Sequence, residues 1–299
     1  MNKKLMGFAR LARPANLPTA AADIFAGIAM GLYVEHIDPL LFLRQQAGDV
    51  ISLVFASVFL YAGGVVFNDV FDAEIDAVER PERAIPTGLV PIKQAVIWGV
   101  FLLVVGISLA FNCNALSGII ALVLTSAILV YDGYSKQNGF LGPLNMGVCR
   151  GLNLLLGMTI LGALSDGWIA IIPVLYIFAI TLISRGEVHG NNKGHFIWAG
   201  ALYALVILSI AVVIQLITGN LLLTLPFLIL FGILIFIPLG KGYTKNSPDT
   251  IKKAVIAGVL SLVVMNACWV AGFSNWYLAL AVLLLLPLSI LLSKLFAVT

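Results

Sequence analysis

The stretch Asn68-Asp69-Val70-Phe71-Asp72-Ala73-Glu74-Ile75-Asp76-Ala77-Val78-Glu79-Arg80-Pro81-Glu82-Arg83-Ala84-Ile85-Pro86-Thr87-Gly88 directly follows an apolar run that starts near residue 50. Asp69, Asp72 and Asp76 repeat at spacings of three and four. A helix continued through them places the carboxylates along one face, with neighbouring Cβ atoms roughly 5–6 Å apart. Such carboxylates repel one another, and the C-terminal end of a helix disfavours negative charge. A hard divalent cation such as Mg2+ removes both costs, because it takes oxygen ligands and shares its remaining positions with substrate phosphates. Asn68 stands before the run, and Arg80, Arg83 and Lys93 follow it. The plain alternative is a solvated acidic helix end. The combination of amide, carboxylates and trailing cations favours metal–diphosphate binding.

Outward from this stretch the chain is strongly apolar. Of its 299 residues, 61% are hydrophobic and 10% charged, and the mean hydropathy is +1.06. Apolar segments of about 20 residues recur along nearly the whole length, the signature of transmembrane helices. They are continuous rather than alternating, which excludes a β-barrel. The fold class is therefore all-α, a polytopic membrane protein, read as one domain over residues 1–299. Ten spans are expected, near 16–34, 50–68, 93–111, 115–131, 144–163, 168–184, 196–216, 221–238, 253–272 and 275–295, with a nine-span count open at the last hairpin. The basic N-terminus reads as a tail or surface helix rather than a cleaved signal.

Cytoplasmic loops collect Lys and Arg. With ten spans and an inside N-terminus, fifteen of the seventeen Lys and Arg fall on one face, Arg44 falls on the other and Arg150 lies within a span. The charged connections all share that basic face, which predicts an integral membrane protein with its N-terminus and active-site loops cytoplasmic; the membrane expected is the plasma membrane of a bacterium. Cys113, Cys149 and Cys268 share no ligand spacing and are expected as free, buried thiols.

Two further clusters lie on the same face. After the sixth span come Ser184, Arg185, Gly186, Glu187, Val188, His189, Gly190, Asn191, Asn192 and Lys193. Glu187 and Asn191 are oxygen ligands flanked by Arg185 and Lys193, which suit phosphate. His189 reads equally as a proton acceptor, a phosphate donor or a polar loop residue. After the fourth span come Tyr131, Asp132, Gly133, Tyr134, Ser135 and Lys136. Tyr134 reads as an interface anchor and Lys136 as a phosphate contact. Polar residues inside spans are few and mark function by default: Asp23, Asn145, Arg150, Asn153 and Asn266. Arg13 and Asn16 at the entry of span one, with Asp23 deeper, are expected to line one cavity. A structural Asp23–Arg150 ion pair weighs equally with an acceptor-pocket role.

On these residues the chain resembles the UbiA superfamily of intramembrane prenyltransferases. The carriers are Asn68-Asp69-x-x-Asp72-x-x-x-Asp76 with Arg83 and Ile85-Pro86-Thr87-Gly88, Arg13-Pro14-x-Asn16, the Arg150/Asn153/Gly157 pattern, and the polar loop after span six. The Ser184-to-Gly190 run resembles an EboC-type branch. The resemblance implies a ring of helices around a central cavity and Mg2+-dependent prenyl transfer from an allylic polyprenyl diphosphate to an aromatic or lipid-like acceptor. It assigns metal binding to Asp69, Asp72 and Asp76, and, in an altered second motif, to Glu187 and Asn191. Substrate contacts then fall to Arg13, Asn16, Asp23, Asn68, Arg83, Lys136, Arg150, Asn153, Arg185, His189 and Lys193. The partners expected are the diphosphate, an acceptor and membrane lipid, with nothing pointing to nucleic acid or an obligate protein partner. A non-catalytic isoprenoid-diphosphate binder or transporter, and a hydrolase or cyclase, are the alternatives that the residues leave open.

Overall fold

The computed structural model describes residues 3–185 and 193–296. The described residues are helical with turns and contain no strand. The helices are α1 (Lys3–Leu11), α2 (Leu17–Val34), α3 (Pro39–Gln45), α4 (Ala47–Phe71), α5 (Ala73–Glu79), α6 (Ile92–Cys113) and α7 (Ala115–Gly133). They continue as α8 (Leu141–Met158), α9 (Ile171–Ser184), α10 (Lys193–Ile217), α11 (Leu221–Lys245), α12 (Pro248–Phe273), α13 (Trp276–Leu283) and α14 (Leu285–Leu295). Among the described residues ten segments are long and apolar enough to cross a membrane, which agrees with the ten expected spans.

The spans close into a ring. Each of α4, α6, α7, α8, α9, α10, α11 and α12 packs on the next, α2 packs on α4, and α12 returns to α2. Close approach of backbones pinches the ring where α2 crosses α8. A Cβ on Gly27 would stand 2.4 Å from the Leu154 carbonyl oxygen, and one on Gly157 would stand 2.6 Å from that of Ile24. Small residues at such crossings are the usual device of membrane helix packing. The tenth span is split at Leu284 into α13 and α14, and α14 lies against α12, α2 and the short Pro14–Asn16 turn.

The decisive stretch is not one uninterrupted helix. α4 ends at Phe71, Asp72 takes φ −90° and ψ 4°, and α5 resumes at Ala73. The two helices remain hydrogen-bonded through Asp72 N to Asn68 O and Asp76 N to Asp72 O. Pro81 then ends regular structure, as its missing N–H and fixed φ require. The chain folds back through Ile85-Pro86-Thr87-Gly88, where Gly88 adopts φ 74°, a conformation that glycine reaches without cost. Gly7 of α1 sits against Val90 and Leu89, so the N-terminal helix covers this returning loop.

Candidate active site

A cavity of about 460 Å3 opens between α2, α4, α7, α8, α9 and α12. Its deeper wall is mostly aliphatic: Leu124, Ile128, Ile177, Ile180, Val259 and Leu262. Its polar wall carries Arg13, Asn16, Asn68, Asp132, Arg150 and Asn153. An amphipathic ligand with a charged head and an apolar tail fits such a lining.

The acidic stretch stands beside this polar wall, and each of its three carboxylates meets a cation. Arg13 Nη2 lies 2.5 Å from Asp69 Oδ1. Arg83 Nη1 bridges Asp69 Oδ1 at 3.2 Å and Asp76 Oδ2 at 2.5 Å. Lys136 Nζ donates to Asp72 Oδ1. Asp69 and Asp76 are 7% and 4% exposed, so these charges are held out of water and need partners. One guanidinium can serve two carboxylates seven residues apart because both turn to the same face of the nearly continuous α4–α5 segment and the proline-punctuated loop returns Arg83 to it. Arg13 reaches its partner from a left-handed backbone at φ 45°, directly before Pro14. For a bulky residue that conformation stores strain, commonly about 1–3 kcal/mol at functional positions.

The expected helical face of carboxylates is thus present, but its repulsion is relieved by arginine and lysine. Among the described residues no three His, Cys, Asp or Glu side chains converge closely enough to hold one ion. The donor chemistry nevertheless fits a hard divalent cation, since Asp69, Asp72 and Asp76 offer oxygen alone. Glu187, His189 and Asn191 lie outside the described residues. Arg185 and Lys193 flank that gap. Both are exposed and neither belongs to the cavity wall, and Lys193 Nζ sits 5.7 Å from the Tyr243 ring centroid.

A second polar knot corrects one expectation, that Asp23 lines the cavity, and bears out its alternative, a structural Asp23–Arg150 ion pair. Asp23 does not line the cavity. It is 1% exposed, and it accepts from Asn153 Nδ2 at 2.8 Å and Asn266 Nδ2 at 2.7 Å, with Arg150 Nε 2.7 Å from Oδ2. Asn153 also donates to Ala20 O and accepts from Ser57 Oγ, while Arg150 Nη2 donates to Thr19 O at 2.5 Å. Asp23 therefore holds Arg150 and Asn153, and those two face the cavity. The reason is apolar depth: a carboxylate there is tolerable only when its lone pairs are filled. Arg13, Asn16, Asn68, Arg150 and Asn153 line the wall as expected. Arg83 and Lys136 reach the site through the carboxylates.

Sequence reasoning named Asp132 in the cluster after the fourth span without giving it a role, and did not name Tyr61; both stand in the cavity wall. Asn68 Nδ2 donates to Asp132 Oδ1 at 3.0 Å. Its signal was available: an acidic residue in the last turn of an apolar span, four residues before Lys136. Asn145 proves to be structural in its contact, donating to Ser135 Oγ at 3.0 Å and so tying the Lys136 turn to α8. The three cysteines are free, as expected, but only Cys268 is buried; Cys113 and Cys149 are partly exposed.

Residues 24–255 match the profile of the UbiA prenyltransferase family, which leaves α13 and α14 outside the match. A digeranylgeranylglyceryl phosphate synthase of Methanococcoides burtonii is 42% identical over 112 residues, covering 37% of this chain and 40% of that protein. The one from Metallosphaera sedula is 29% identical over 240 residues, covering 76% and 80%. In the first relatives, 40%, 55% and 47% of their length is matched, so this chain aligns with about half of each. The solved structure described as that of digeranylgeranylglyceryl phosphate synthase in membranes superposes with a TM-score of 0.64 at 21% identity, covering 90% of this chain and 98% of that one. A UbiA homolog from Archaeoglobus fulgidus, solved with GPP and Mg2+, gives 0.65 at 14% identity, covering 88% and 99%. These likenesses show that the ring is the UbiA fold.

Proposed function

The chain belongs to the UbiA prenyltransferase family, and on that premise we propose that it transfers a prenyl group from an allylic polyprenyl diphosphate to the hydroxyl of a lipid-like acceptor within the membrane. The observation that carries this reading is the acidic cluster on α4–α5, clasped by Arg13, Arg83 and Lys136 beside an aliphatic cavity. The diphosphate head belongs at the cluster and the isoprenoid tail in the cavity. The acceptor class is supported by the relatives, whose name describes a glyceryl phosphate that carries geranylgeranyl groups.

The charge balance argues for a divalent cation. Asp23, Asp69, Asp72, Asp76 and Asp132 stand against Arg13, Arg83, Lys136 and Arg150 around the cavity and its polar wall. An entering diphosphate meets no net positive charge there, so added cations make its binding favourable. Asp69, Asp72 and Asp76 are the residues that would hold Mg2+, with Glu187 and Asn191 proposed for a second ion. Bound Mg2+ supplies charge neutralisation of the leaving diphosphate. Arg83 and Lys136, drawn off their carboxylates, then donate to phosphate oxygens. The aliphatic wall keeps water from the allylic carbon, which disfavours simple hydrolysis. We place the polar end of the cavity on the cytoplasmic face, following the distribution of Lys and Arg.

The test is turnover by the purified protein with labelled geranyl and geranylgeranyl diphosphates, with and without Mg2+, a glyceryl phosphate mono-ether or an aromatic acid. Diphosphate release that requires both Mg2+ and the glyceryl acceptor, with an ether product, is the expected result. Release without any acceptor would indicate a hydrolase or cyclase, and no release under any condition would indicate a binding protein or transporter. A prenylated aromatic product would retain the transferase and replace the acceptor.

A further inference from the structure

Four of the five carboxylates around the cavity are matched by a cation: Asp69, Asp72, Asp76 and Asp23. Asp132 is not. It lies in the last turn of α7, is 3% exposed and lines the cavity. Its hydrogen-bond partner is neutral, the Asn68 amide on Oδ1. No Lys, Arg or His among the described residues comes within ion-pair distance of it. A carboxylate removed from water with one neutral hydrogen-bond donor and no ion pair is poorly compensated, and Asp132 stands in the wall of the cavity that a substrate would enter. The pyrophosphate does not suit it, since two anions repel. A hydroxyl does, because it brings a proton.

We infer that Asp132 is the proton acceptor for the nucleophilic hydroxyl, an assignment that rests on the prenyl-transfer reading above. In that step the bond between the allylic C1 and the diphosphate oxygen breaks, and its electron pair leaves with the diphosphate. A lone pair of the acceptor oxygen forms the new C1–O ether bond. The hydroxyl proton passes to Asp132 Oδ2. Asn68, which directly precedes the first aspartate of the acidic stretch, orients Asp132 through Oδ1 and so couples the proton acceptor to the diphosphate end of the site.

The test uses the full chain in detergent with Mg2+, geranyl diphosphate, a glyceryl phosphate mono-ether and, as a binding probe, geranyl S-thiolodiphosphate. Asp132→Asn keeps the shape and the Asn68 contact. It is expected to bind the probe within about twofold of wild type and to lose ether formation by about 10²-fold or more, the scale of general-base catalysis. Asp132→Glu, which restores a carboxylate, is expected to recover part of that loss. Ether formation by Asp132→Asn above a tenth of the wild-type rate overturns the assignment. Probe binding lost in both variants overturns it too, because Asp132 would then serve the diphosphate site or the fold. A wild-type protein that makes no ether refutes the transferase reading instead, so the two failures are distinguishable.

Discussion

Asp23 illustrates how one residue controls others at a distance from the chemistry. It accepts from or pairs with Arg150, Asn153 and Asn266, which come from α8 and α12. Removing one member of a buried ion pair leaves the other charge uncompensated, at a cost of about 3–5 kcal/mol. Asp23→Ala should therefore lower the thermal midpoint in detergent markedly and reduce turnover, because Arg150 and Asn153 lose their anchor. A melting curve that overlays the wild type would refute the anchoring role. At the acidic stretch the prediction is of a different kind. Asp72→Ala removes a more accessible carboxylate and frees Lys136. Stability should change little, while diphosphate release falls by about 10²–10³-fold, the scale of losing one group that stabilises developing charge. Retained turnover would remove the proposed metal and diphosphate site. At this scale the sequence was informative where partners are near in the chain: Arg83 serves Asp69 and Asp76 from fourteen and seven residues away. Asp132 was visible in the last turn of an apolar span, but its importance was not, because that comes from what does not pair with it.

At the scale of elements, the crossing of α2 and α8 sets the geometry of the polar wall. α2 brings Thr19, with Arg13 and Asn16 on the turn that leads into it, and α8 brings Arg150 and Asn153. The helices approach closely because Gly27 and Gly157 have no Cβ. Gly157→Val should push the helices apart, at a cost of about 1–3 kcal/mol for overpacking. It should also lower turnover through the displaced Arg150 and Asn153, although residue 157 does not itself line the cavity. Parallel melting and turnover measurements decide the matter, and full activity at an unchanged midpoint would show that the crossing does not position the site. The break at Asp72 was not legible in the residue pattern. Spacings of three and four are compatible with an unbroken helix, and nothing local forces Asp72 to φ −90° and ψ 4°. The return of the following loop was partly legible, because Pro81, Pro86 and Gly88 exclude regular helix and favour turns.

For the whole molecule, the ring places the acidic stretch, the Lys136 turn and both ends of the 185–193 connection after even-numbered spans, and Arg44 after the first span. In a cysteine-free background, single cysteines at residues 80, 137 and 245 should react with an impermeant maleimide from one side of sealed vesicles. A cysteine at 44 should react from the other. Mixed labelling of the first three would overturn the proposed orientation. Chelation gives a test at the same scale, since five carboxylates against four cations leave no surplus positive charge for an anion. EDTA should therefore abolish diphosphate binding, and Mg2+ should restore it; binding unaffected by EDTA would show that the arginines and lysine suffice. The sequence alone determined the membrane class, the ten spans and the acidic stretch with its trailing arginine, because hydrophobic length, charge asymmetry and helical spacing are local properties of a chain. Only the tertiary structure decided that Arg13 reaches Asp69 across 56 positions, that Asn266 reaches Asp23 across 243, and that Asp132 is left without a cation. Those facts depend on which faces meet when the ring closes, and close packing of small residues between distant helices sets that meeting.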